Sequence, residues 1–191
     1  MSPEAQQVLD YWLKEKTPED WYKGSDELDA EIRSRFEGLW HQAMAGEFKD
    51  WLVSADGALA YLILTDQFSR NMFRGTDQAY ASDALALRAA VSAIRLGYDR
   101  KITGPEQQFF YLPLMHAESI EHQERCVRLF LMNMPQSSNL LHARAHREVI
   151  RRFGRFPYRN DHLGRETTPA EQKFLDAGAY MAQVKEIEAQ A

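Results

Sequence analysis

The chain has 191 residues, 45% of them hydrophobic and 27% charged, with 23 basic and 28 acidic side chains and a net charge of −5. This is the balance of a folded globular protein and excludes a disordered one. The length suits one domain, residues 1–191, with a substantial core.

The chain reads as helical from end to end. Ser2-Pro3 is a helix start, because Pro at the first helical position loses only an N–H that would be orphaned anyway. Val8, Tyr11 and Trp12 then recur at helical spacing. Ser25 is placed to cap a second helix with a stripe of Leu28, Ile32, Phe36, Leu39, Trp40 and Ala43, ended by Gly46. A third helix is predicted from about Asp56 to Phe68 or beyond, and a fourth from Thr76 to Gly97. Gly104-Pro105-Glu106 opens a fifth, which meets Pro113 and must kink or break near Tyr111-Leu112-Pro113, since Pro113 lacks an N–H and clashes with the carbonyl of Phe109. A sixth covers about Ser119 to Met132, stopped by Pro135. A seventh runs from Asn139 to Gly154. Thr168-Pro169-Ala170-Glu171 has the form of a capping box and starts an eighth, the tail. The expected fold is therefore all-α, with seven or eight helices joined by short loops.

Several classes are excluded. The longest apolar run, Ala58–Leu64, is far short of the ~20 residues needed to span a bilayer, so no membrane association is predicted. The N-terminal residues carry neither the basic nor the apolar region of a secretory signal. The one cysteine, Cys126, permits no intrachain disulfide and no paired-cysteine motif, and is read as a small core residue. These features point to the cytoplasm. Phosphate-loop, dinucleotide and serine-hydrolase signatures are absent from the sequence, and no cofactor is predicted.

Polar chemistry concentrates in four places. In the first, Asp66, Arg70 and Arg74 share one helical ridge, with Gln67 and Asn71 on the neighbouring line, directly after an apolar segment. Asp66 could pair with Arg70 or orient a ligand donor there. In the second, His116 and Glu118 follow the expected Pro113 break, which could turn both into one cavity. In the third, His142 and His146 are four apart, as on a metal-binding helix face, but the Glu of a zinc-protease helix is missing, and no metal site is predicted. The fourth runs from Arg144 to Arg165. Seven arginines against Glu148 and Asp161 give it a net +5, leaving −10 for the rest of the chain. Phe153, Phe156 and Tyr158 lie among those arginines. Guanidinium forks bind carboxylate or phosphate and stack on aromatic faces, but they serve equally well as partners for acids elsewhere in the fold.

Asp66-Gln67-Phe68-Ser69-Arg70-Asn71-Met72-Phe73-Arg74-Gly75-Thr76, then Tyr111-x-Pro113-x-x-His116-x-Glu118, then His146 followed by Arg152–Asn160 and Leu163-Gly164-Arg165 resemble the signatures of a mostly bacterial family of unknown function with a tetratricopeptide-like fold. The resemblance implies antiparallel helix pairs. It carries over Asp66, Gln67, Arg70, Asn71, Arg74, His116, Glu118, His146, Arg155, Arg159 and Asn160 as the polar motif positions. Ser69 stands where Pro is usual and Tyr158 where His is usual, while His142 matches no motif position.

The function expected first is binding of an anion: a small carboxylate or phosphate metabolite, an acidic peptide or a protein C-terminus. Arg155 and Arg159 would clamp it, with Arg70 and Arg74 adding charge and Gln67, Asn71 and Asn160 adding neutral hydrogen bonds. The alternative is an enzyme with His116 or His146 as general acid/base and Glu118 or Asp66 orienting it. Nucleic-acid binding through the arginine–aromatic segment is disfavoured by the acidic pI of 5.7.

Overall fold

Capping and apolar spacing set the helix starts of a computed structural model that describes residues 1–189. Among these there is no strand, and there are ten α-helices rather than seven or eight. The chain divides into two compact units, Met1–Pro113 and Leu114–Ala191.

The first unit begins with α1 (Pro3–Asp10), where the Ser2 hydroxyl accepts from Ala5 N–H at 3.2 Å. It runs directly into a π-helical turn, Tyr11–Glu15. Helix α2 (Asp26–Ala45) is capped by Ser25, which accepts from Leu28 N–H at 3.1 Å, and ends at Gly46 as expected. The predicted third helix is continuous but composite: α3 (Ala55–Leu62), a π-helical segment Ile63–Phe68, and α4 (Ser69–Met72). The helix expected from Thr76 starts later, as α5 (Asp83–Arg95), preceded by a 3₁₀ turn Asp77–Tyr80.

The core of this unit is aromatic. Tyr11, Trp12, Phe36 and Phe68 are fully buried, and their neighbouring rings lie 4.7 to 6.3 Å apart. Both π-helical segments contribute to it, the first through Tyr11 and Trp12 and the second through Phe68. An inserted residue in a helical turn re-aims the side chains around it, and here it delivers bulky rings to one cluster. Trp21 closes the end of the first π turn by donating its indole N–H to the Trp12 carbonyl at 2.8 Å. Helices α3 and α5 pack through small residues, Ala58 and Ala60 on one and Ala86, Ala89, Ala90 and Ala93 on the other, all buried.

The break expected at Tyr111–Pro113 is present. Pro105–Phe110 forms 3₁₀ turns and α6 (Leu112–Met115) follows.

In the second unit, α7 (Ile120–Asn133) and α8 (Asn139–Phe153) are joined by the short connection 134–138 and pack along each other. The buried Gln123 amide on α7 donates to the carbonyls of Met115 at 2.6 Å and Ala117 at 2.9 Å, satisfying the end of the preceding turn. Cys126 is buried on α7, and burial pushes its thiol pKa up. The tail is not one helix. Helix α9 (Pro169–Asp176) starts with the predicted Thr168/Glu171 capping box, and α10 (Ala179–Glu188) follows a sharp break. At that break Gly178 has φ +103° and Ala179 has φ +51°. The left-handed region costs a residue with a Cβ roughly 1–2 kcal/mol, so Ala179 is held there by what α10 packs against.

Gly57 in α3 has no room for a side chain, because a Cβ there would lie 2.2 Å from the Trp51 carbonyl oxygen. The obstacle is backbone and cannot rotate away. Gly57→Ala is expected to lower stability by ~1–3 kcal/mol, read in thermal unfolding as a fall of about 2–4 °C per kcal/mol.

Candidate functional site

The sequence-predicted polar residues form two groups, one in each unit. In the first unit, the π-helical segment carries Asp66 and Gln67, and α4 carries Arg70 and Asn71. Asp66 is 1% exposed and accepts from the Gln67 amide at 2.5 Å. Arg70 does not take Asp66 as its acid. It donates to Asp83 at 2.7 Å and to the Ala79 carbonyl, with the Tyr80 ring 4.8 Å from its guanidinium. Arg74 and Asn71 share Asp29 of α2: Arg74 Nε donates to one carboxylate oxygen at 2.5 Å, while Arg74 Nη2 at 3.0 Å and the Asn71 amide at 2.8 Å donate to the other. Two of the three helical-ridge residues are thus tied to acids 13 and 45 positions away in sequence.

Ser69 has a structural job in this stretch. Its hydroxyl donates to the carbonyls of Thr65 at 3.1 Å and Asp66 at 3.2 Å. Thr65 O also accepts from Ser82 at 2.5 Å, and the Ser82 hydroxyl in turn accepts the Trp40 indole N–H at 3.0 Å. The π-helical turn frees carbonyls from the regular ladder, and buried hydroxyls satisfy them.

In the second unit, Glu118 organises the segment after α8. It accepts two parallel bonds from Arg165, at 2.7 and 3.0 Å, and one from the Phe156 N–H at 2.8 Å. Burial acts to raise its pKa, but the Arg165 guanidinium and the Phe156 N–H outweigh it and hold the carboxyl below the usual range. Arg165 also donates to Asn160 Oδ1 at 3.0 Å and to the Phe156 carbonyl at 3.1 Å. Asn160, 1% exposed, passes its own amide to Thr167 at 3.2 Å.

Arg155 forms a second fork. Its Nε and Nη2 donate to Glu171 at 2.6 and 2.8 Å, and Nη2 also donates to the Glu166 carbonyl at 2.8 Å. Glu171 simultaneously accepts Thr168 N–H at 2.8 Å as the capping-box carboxylate. The Arg155 fork, together with these Thr168 bonds, lowers Glu171 to about 2. A ligand clamped by Arg155 would have to displace this carboxylate.

Arg159, in the 3₁₀ turn Pro157–Arg159, is 6% exposed. Its guanidinium lies 4.5 Å from the Phe156 ring centre and donates to the His116 carbonyl at 3.0 Å. His146 on α8 donates Nδ1–H to the His142 carbonyl at 2.9 Å, which leaves Nε2 as the acceptor nitrogen. Its ring is 5.4 Å from Phe156 and 6.2 Å from the His116 ring. Burial first, then the neighbouring His116 imidazole, pushes His146 down to about 3, so it is neutral at ordinary pH. Glu118 orients neither imidazole, since its bonds go to Arg165 and Phe156. No group of three or more metal-ligating side chains occurs among the described residues.

Sequence spacing did not reveal Asp29, Asp83, Glu171 and Arg165 as partners, nor Tyr180, whose ring lies 4.6 Å from that of His146. The Thr168-x-x-Glu171 pattern marked Glu171 as a cap but carried no sign that its second task is to hold Arg155.

Because Gln also serves in a capping box, Glu171→Gln keeps the side-chain bond to the Thr168 N–H and removes the charge, while Glu171→Ala removes both and leaves the Thr168 hydroxyl as the one remaining half of the box. The carboxyl is lowered in the folded state, so its stabilisation is complete above its free value of 4.5 and is lost as pH falls towards about 2. Urea titrations are expected to show Glu171→Ala weaker than Glu171→Gln by ~1 kcal/mol, the net worth of one hydrogen bond. Glu171→Gln should lose part of the wild-type decline in stability between pH 4.5 and 2.

Residues 8–179 match the family described as "Bacterial protein of unknown function (DUF924)". The solved structure of a protein of unknown function from Agrobacterium tumefaciens, ATU0120, is similar at 41% identity and a TM-score of 0.85, covering 90% of this chain and 96% of that one. No curated protein matches the chain. The Asp66–Thr76, Tyr111–Glu118 and His146–Arg165 motifs all fall within the matched span, and the chain belongs to the DUF924 family of bacterial proteins.

Proposed function

We propose that the protein binds a small anionic ligand, a carboxylate or a phosphate, through Arg159 with the imidazoles of His116 and His146 beside it. The observation that carries this reading is the preorganisation of the guanidinium. Glu118 and Arg165 clamp residue 156 by both its N–H and its carbonyl, and Arg159 stacks on the ring of that residue. A planar fork fixed in advance loses little entropy when it meets a carboxylate or phosphate. The neutral His146 offers Nε2 as an acceptor for a hydroxyl or amine on the same ligand. In this reading Arg155, Asn160 and Glu118 hold the segment in shape, and Asp66, Gln67, Arg70, Asn71 and Arg74 form a second polar group in the first unit.

Binding is favoured over general acid/base catalysis by the state of His146. A base at about 3 is far from neutral pH, where proton transfer is most effective. We also infer the tetratricopeptide-like pairing of helices, supported by the short α7–α8 connection, and a cytoplasmic setting, supported by one buried cysteine and by the lack of a helix long and apolar enough to cross a membrane among the described residues.

Thermal-shift measurements in low salt, with inorganic phosphate, citrate, succinate and an acidic peptide as probes, test the proposal. A probe at about a hundred times its dissociation constant stabilises by ~2.7 kcal/mol, a rise of roughly 5–10 °C at this chain length. Arg159→Lys keeps the charge but loses the fork, and is expected to halve the shift or more while circular dichroism stays unchanged. No shift with any probe, or an undiminished shift in Arg159→Lys, would refute it.

A further inference from the structure

Helix α10 packs mainly along α8 and, to a lesser extent, against α9. Val184 is its one buried residue, and Met181 is 56% exposed. Towards its C-terminal end, Gln183, Glu186 and Ile187 do not fill the space against α8. A cleft of about 380 Å³ remains there, lined also by Glu148, Arg151 and Arg152. Its N-terminal end is different. The Tyr180 hydroxyl meets His142 Nδ1 at 2.5 Å, and the Tyr180 ring lies over both imidazoles, 6.0 Å from His142 and 4.6 Å from His146. Immediately before Tyr180 stand Gly178 and Ala179, both at positive φ. A residue with a Cβ stays in that conformation only while its surroundings hold it.

We propose that α10 is a pH-responsive strap: Tyr180 fastens it over the imidazoles of His142 and His146, and protonation of His142 lets it swing away about Gly178–Ala179. With Nδ1 of His142 bare, the Tyr180 hydroxyl donates to it. A proton on that nitrogen turns it into a donor, reverses the bond, and places a charge among rings. The surroundings do not compensate that charge. From α10 it is faced by Tyr180, and from its own helix by His146. The Pro157–Arg159 turn brings Tyr158, whose ring is 6.3 Å from that of Tyr180, and Arg159; the segment before α7 brings His116 near His146. The nearby acids are occupied elsewhere: Glu124 of α7 and Glu148 of α8 hold Arg147 and Arg151, Glu171 of α9 holds Arg155, Asp176 of α9 accepts from Gln172, and Glu186 of α10 accepts from Gln183. Burial accordingly lowers His142 from its ordinary 6.5.

The direction follows from linkage. A histidine held neutral when the strap is closed favours closure fully above 6.5, and that contribution falls as pH drops below it. At pH 5.5 the released imidazole gains a proton about tenfold in excess, so the open population rises by up to about tenfold. Opening would uncover the His146 ring. The strap needs no ligand, so it stands or falls independently of anion binding.

Hydrogen exchange of the intact protein at pH 7.5 and 5.5, corrected for the intrinsic pH dependence of exchange, is the test. Protection of residues 179–188 is expected to fall by up to about tenfold at pH 5.5, with α7 and α8 keeping theirs. His142→Gln should show the same low or high protection at both pH values. Tyr180→Phe, which keeps the ring, should be weakly protected already at pH 7.5. Unchanged wild-type protection, an equal fall in His142→Gln, or a parallel loss from α7 and α8 would each overturn the proposal.

Discussion

The three bonds accepted by Glu118 govern the second unit. One carboxylate, two residues ahead of α7, takes both donors of the Arg165 fork and the N–H of Phe156. That fixes a segment whose own backbone bonds are limited to the 3₁₀ turn Pro157–Arg159 and the turns after it. Irregular backbone must find partners for its own polar groups, and between α8 and α9 much of that need is met by side chains. Arg165 takes the Phe156 carbonyl and Asn160, Asn160 takes Thr167, and Arg155 takes the Glu166 carbonyl. Remove Glu118 and a half-buried guanidinium loses its anion while Phe156, on which Arg159 stacks, loses its anchor. Leaving a buried charge without its partner costs more than the pair itself contributes.

The first unit solves the same problem with different residues. A π-helical turn between α3 and α4 brings Phe68 to the aromatic core, at the cost of carbonyls left over from the helical ladder. Ser69 and Ser82 donate to them. Downstream, α4 and the turn after it would present Arg70, Asn71 and Arg74 as a polar patch of uncompensated charge. Asp83 and Asp29 each take part of it. The basic residues of both units are therefore mostly ties between elements, which is how a chain of net charge −5 carries concentrated arginine.

Helix starts were legible because they depend on neighbours in sequence. Ser2, Ser25 and Thr168 accept from the N–H three residues on, and Gly46, Gly154 and the Pro113 break follow from local sterics. The two π-helical turns were not legible, since an inserted residue barely alters apolar spacing over one turn and its reward is tertiary: the meeting of Tyr11, Trp12, Phe36 and Phe68. The tail reads as one amphipathic helix, and Gly178 in its middle carries no sign that Ala179 will share its left-handed backbone. The ion pairs were hidden for a related reason. Asp66 sits four residues before Arg70, the spacing that favours pairing on an exposed helix, yet Asp83 takes Arg70, at a distance that spacing rules do not reach. Glu118 with Arg165, and Arg155 with Glu171, lie beyond any helical periodicity in the same way.

Tyr158 shows why a single departure from a family pattern matters to the chemistry around it. The resemblance leads to an expectation of His at that position. A fourth imidazole there would lie close to those of His116, His142 and His146, and a proton on it would oppose a proton on its neighbours. Tyr158 instead stacks on Phe156 at 5.4 Å and meets the Tyr180 ring edge-on. The rings around the strap are then Phe156, Tyr158 and Tyr180, and the group that titrates against the α10 hydroxyl is His142. This confines the pH response to one hydrogen bond.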